Sequence, residues 1–171
     1  MKKNIIYFFF LFLLFLVQVA ALKVFSQSVY LVPQFLLLFV IALSLNNSLP
    51  ESVWFAFIAG FFAELFSGLF FGTHILGLVA VSLAVYTVTR NLTSQQATIS
   101  TTVFLVILGT LLMPFIAYLF NLLAAFLYSS PVISIRNFYY WTIFWTLISN
   151  IVFAYPIAKL FKFFSRFEEA K

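Results

Sequence analysis

The chain has no cysteine and no aspartate, and only one histidine and four glutamates among 171 residues. Without thiols there is neither a disulfide framework nor a thiolate metal site. So few titratable groups exclude a dense acid–base or metal-ligating constellation, and no nucleophile is set beside a base. Charge is scarce as well: Asp, Glu, Lys and Arg make up 8% of the residues, against 65% hydrophobic. A soluble core cannot bury that much apolar surface in so short a chain. Most of it must face lipid, which makes this an integral membrane protein, all-α in class. The formal net charge of +5 would suggest nucleic acid in a soluble domain. Here the basic residues sit at the chain ends and beside apolar runs, where they write topology, and no basic surface is long enough to track phosphates. The 26 phenylalanines carry no functional meaning of their own.

What is present is a series of six apolar runs. A helix rises about 1.5 Å per residue, so a hydrocarbon core of about 30 Å needs about 20 apolar residues. The runs are roughly 5–22, 29–45, 52–68, 74–89, 97–128 and 138–164, in a single transmembrane domain ending in a short cytoplasmic tail, 165–171. The polar stretches "KVFSQS", "NNSLPE", "RNLTSQQ" and "SSPVISIRN" separate most of them, and a glycine-flanked turn joins the third to the fourth. The first run, behind "MKKN" and with Ala20 and Ala21 near its end, also fits a secretory signal peptide. A membrane-bound remainder favours an uncleaved helix. The fifth run is long enough to be one tilted helix or two short ones broken near Gly109 and Pro114.

Charge separates the two topologies. With six crossings and an inside N-terminus, Lys2, Lys3, Arg90, Lys159, Lys162, Arg166 and Lys171 lie inside, and only Lys23 and Arg136 outside. A double crossing by the fifth run would move the tail outside and turn seven-to-two into four-to-five. The positive-inside rule therefore selects a six-helix bundle with both termini cytoplasmic. In that bundle "FYYWTIFW" sits at the outer headgroup level, Pro156 kinks the last helix, and "KLFKFFSRFEEAK" lies on the anionic inner leaflet.

One stretch, residues 60–77, "GFFAELFSGLFFGTHILG", holds a carboxylate, the lone histidine and four of the five glycines. At 3.6 residues per turn Ala56, Gly60, Glu64 and Gly68 form a ladder, with Ser67 beside it and Phe55, Phe62 and Phe66 opposite. Small residues let lipid-embedded helices approach closely, and a few polar contacts hold them together. The turn at Gly72 brings His74, and the first amides of the fourth helix, back towards Glu64, with Gly77 one turn further on. Three readings stand for Glu64 and His74: a polar clasp across the hairpin, a surface for a second membrane protein, or a proton-relay or substrate site of a transporter. Too few ligands accompany His74 for a metal. Gln18, Gln34, Asn121 and Asn150 read as interhelical glue, and Pro33 as the opening of the second helix.

The motif "ELFSGLFFG", an acidic residue followed by Ser-Gly and then Gly, resembles the central motif of the rod shape-determining protein MreD family. "VPQFLLL" and "NIVFAYPIAKLFKFF", with Asn150 and Pro156, are similar to that family as well, so the resemblance runs along essentially the whole chain. It implies a non-enzymatic, cofactor-free scaffold of the cell-elongation machinery in the bacterial cytoplasmic membrane. Such a scaffold would pair with an MreC-like protein and work with MreB, RodA and its transpeptidase partner in peptidoglycan synthesis. The implied fold is similar to the substrate-binding subunits of energy-coupling-factor vitamin transporters, which supplies the alternative function. The chain departs from the family in Glu64, where Asp is common, and in Gln34, where an acidic residue is frequent. On the resemblance and the residues together, the hairpin of Gly60, Glu64, Ser67, Gly68, Gly72, His74 and Gly77 shapes a surface for a partner's transmembrane helix.

Overall fold

The second apolar run does not form a helix of membrane-spanning length. In the computed structural model, which describes residues 2–24, 32–67, 71–92, 99–128 and 139–169, it becomes the 12-residue helix α2 (Phe35–Asn46) at the centre of the bundle. The other helices are α1 (Lys2–Val24), α3 (Leu49–Glu64), α4 (Thr73–Leu92), α5 (Ile99–Tyr128) and α6 (Tyr139–Glu169). Four segments, Lys3–Val24, Thr73–Asn91, Ser100–Phe120 and Thr142–Phe161, are long and apolar enough to cross a membrane. α2 and α3, with 12 and 16 residues, rise only about 18 and 24 Å against a core of about 30 Å. Among the described residues there are six helices, and four of them are long and apolar enough to cross a membrane.

α2 is apolar on every face, and such a helix belongs inside other helices. Its residues from Phe35 to Ser44 are all buried, and α1, α3, α4, α5 and α6 each touch it. It starts at Phe35 because the backbone of Pro33 and Gln34 is not yet helical, so Pro33 precedes the helix rather than opening it. It stops where Asn46 and Asn47 turn their side-chain amides back onto the Ala42 and Leu43 carbonyls. α3 follows after two residues, with Pro50 in its first turn, where a missing N–H does no harm, and Glu51 beside the positive helix end.

The core is aromatic near one end. Phe39 of α2 is fully enclosed, ringed by Phe10 of α1, Phe55 of α3 and Phe161 of α6, while Tyr7 stacks on Phe161 and meets Phe55 edge-on. At this same end Lys3 pairs with Glu51 at 3.1 Å. The start of α1, the start of α3 and the end of α6 therefore lie together. α4 runs back along α3, so Arg90 also comes to this end, and Lys23 lies at the other.

Several boundaries differ from those read in the sequence. α3 begins three residues earlier than expected and ends at Glu64, with Leu65–Ser67 in a turn. The small-residue ladder thus runs only through Ala56, Gly60 and Glu64, and Ser67 lies beyond it. α5 passes through Pro114 as one helix, and α6 continues to Glu169, taking in most of the expected tail. Gly68 and the side chains of Asn121, Lys162 and Arg166 lie outside the described residues, as does most of the expected outer aromatic belt.

Candidate functional site

Glu64 closes α3 with its side chain only 1% exposed. Its Oε2 accepts the backbone N–H of His74 at 2.8 Å and lies 3.5 Å from the ring nitrogen Nδ1 of the same residue. His74 is the second residue of α4, so its amide is among the first four that no helical carbonyl can satisfy. A carboxylate there also meets the positive end of the helix dipole. Glu64 caps the helix that follows its own. The main contact is with the backbone of residue 74 rather than with the imidazole.

The turn between the helices explains how the carboxylate gets there. Gly72 sits at φ +101°, a conformation that an L side chain strains to adopt, and its carbonyl accepts the Leu76 N–H at 2.9 Å. The chain reverses, and α4 comes down on α3 so closely that a Cβ placed on Gly60 would lie 2.5 Å from the Cα of Ile75. Gly60 is the contact point of the two backbones. Gly77, one turn after Thr73, faces the other way and receives the Met113 sulfur of α5, 2.7 Å from where its Cβ would be. The Ser67 hydroxyl donates to the Glu64 carbonyl at 3.3 Å, closing the end of α3.

Asn150 and Pro156 are not part of this hairpin. Asn150, fully buried on α6, accepts the Gln34 N–H at 2.7 Å and donates to the Thr110 hydroxyl at 3.0 Å. Gln18 of α1 accepts the Leu36 N–H at 3.2 Å. Together these two side chains accept two of the backbone amides at the start of α2. Ser44 and Ser82, 3.0 Å apart, pin the other end of α2 to α4. Pro156 is exposed within α6. The roles of Thr110, Ser44 and Ser82 went unread because a hydroxyl in an apolar helix ordinarily bonds its own backbone, and so marks nothing.

Beside the turn end of the hairpin lies a cavity of about 130 Å³ between α1, α2, α3, α4 and α5, with Gln18, Gln34, Ser67 and His74 among its lining residues. Two buried oxygens in this region, Gln34 Oε1 and Glu64 Oε1, have no hydrogen-bond partner, and His74 Nδ1 has only its 3.5 Å contact with the Glu64 carboxylate. Among the described residues, no group of three or more His, Cys, Asp or Glu side chains gathers to hold a metal ion.

No curated protein and no solved structure matches the chain. The family model for the rod shape-determining protein MreD matches residues 2–164. That match runs from the start of α1 into α6 and takes in both halves of the hairpin, and the chain belongs to the MreD family.

Proposed function

We propose that the chain is a non-enzymatic scaffold of rod-shape determination in the bacterial cytoplasmic membrane. It binds an MreC-like membrane protein and, through it, supports the work of MreB, RodA and its transpeptidase partner in building the wall. Family membership supports a role in rod shape. The observation that carries the scaffold reading is the placement of Glu64. A proton relay keeps its carboxylate free to load and unload, whereas this one is buried and bonded to the backbone of α4. Lys3, Arg90 and Lys159 share one end of the bundle, and the positive-inside rule makes that end cytoplasmic.

Because Gly60 and Glu64 face α4 of the same chain, the surface for a partner helix is the outer side of the hairpin, where Leu65, Phe66 and Phe71 are exposed. The test is a mild-detergent pull-down of the tagged protein from its native membrane, with proteins and small molecules identified by mass spectrometry. Recovery of an MreC-like protein with wall-synthesis enzymes supports the scaffold. The cavity beside the hairpin favours a second reading, the substrate-binding subunit of an energy-coupling-factor type transporter. ATPase subunits with a bound vitamin in the same pull-down would replace the first reading by the second.

A further inference from the structure

The cavity beside the hairpin has two kinds of wall. Phe15 and Phe62 stack with ring centroids 4.9 Å apart, Phe66 lies 5.5 Å from Phe15, and Met113 adds a thioether. Ring faces and sulfur favour a further ring at such separations. The volume of about 130 Å³ is close to that of cavities known to take up benzene. The polar wall is Gln18, Gln34 and His74. Gln18 Oε1 is engaged by the Leu36 N–H and His74 Nδ1 faces the Glu64 carboxylate at 3.5 Å, but Gln34 Oε1 is buried with no hydrogen-bond partner. Among the described residues it is the backbone of Gln34 that the bundle uses, its N–H bonded to Asn150 and its carbonyl to the Leu38 N–H. Packing alone asks for an aliphatic side chain at position 34, because a buried amide oxygen left unbonded is unfavourable.

We propose that this cavity binds a small molecule consisting of a planar ring with a hydrogen-bond donor, a hydroxyl or an amine, at one edge. The ring lies against Phe15, Phe62 and Phe66, and the donor reaches Gln34 Oε1 after a small side-chain turn. The site stands on the cavity alone and does not depend on the scaffold reading.

The full chain in phosphatidylcholine nanodiscs is titrated with 4-fluorobenzyl alcohol and, separately, with 4-fluorotoluene, following the fluorine resonance by NMR against empty nanodiscs. The wild type is expected to broaden the alcohol signal saturably and to prefer the alcohol by about tenfold, the equivalent of one hydrogen bond made or lost. Ala63→Phe, which fills the cavity from α3, abolishes saturable binding of both probes. Gln34→Leu folds, since it removes no bond of the bundle, and it erases the preference for the alcohol while leaving the toluene unchanged. No saturable signal above empty nanodiscs, equal affinity for the two probes in the wild type, a Gln34→Leu chain that keeps the preference, or an Ala63→Phe chain that binds as the wild type does would each overturn the proposal.

Discussion

At Gly60 the backbones of α3 and α4 meet, and a single added carbon has nowhere to go because the nearest atoms belong to the Ile75 backbone. Gly60→Ala is expected to destabilise the protein by about 1–3 kcal/mol, as overpacking does, seen as an earlier midpoint of SDS-induced unfolding in mixed micelles. Gly77→Ala presses instead on the end of Met113, a side chain with three rotatable bonds, and is expected to remain within about 1 kcal/mol of the wild type. Equal losses at the two glycines would remove the distinction between backbone and side-chain contact. Glu64→Gln keeps an oxygen for the His74 N–H, while Glu64→Leu leaves that amide unpaired in a buried place. The leucine variant is expected to lose about 1–3 kcal/mol and the glutamine variant clearly less, in the same unfolding assay.

Among the elements, α2 depends on its neighbours most. Its first turn borrows acceptors from α1 and α6, and the Asn150 amide ties it to Thr110 of α5. Asn150→Ala strips one bond from α2 and one from α5, with an expected loss of about 2–3 kcal/mol, and Thr110→Val about 1 kcal/mol. The double variant should lose less than the sum, because both remove the same bond. Strict additivity would show that the 3.0 Å contact is not formed. The α3–α4 clasp was legible in the sequence because its partners are ten residues apart and a glycine turn lies between them. The enclosure of α2 was not, since a helix surrounded by protein and one surrounded by lipid have the same apolar composition. Nor was the pairing of Gln34 with Asn150, separated by 116 residues, which no local pattern encodes. The cavity escaped for the same reason: its walls come from five helices.

For the molecule as a whole, the absence of cysteine makes orientation directly measurable. In intact spheroplasts a membrane-impermeant maleimide is expected to label Lys23→Cys, and to label Arg90→Cys only after permeabilisation, as the positive-inside rule requires. The reverse pattern would turn the bundle over, cavity included. The central helix also sets an order of synthesis. Gln34 waits for an acceptor that lies 116 positions later in the chain, and an uncapped amide is poorly tolerated in hydrocarbon. As the chain emerges N-terminus first, α2 can be held loosely by α1, α3 and α4, but its first turn closes only when α6 has been made and has entered the membrane. Ribosome-bound chains ending before Asn150 should therefore remain sensitive to protease or to hydrogen exchange around Gln34, and the bundle locks from its last helix inward.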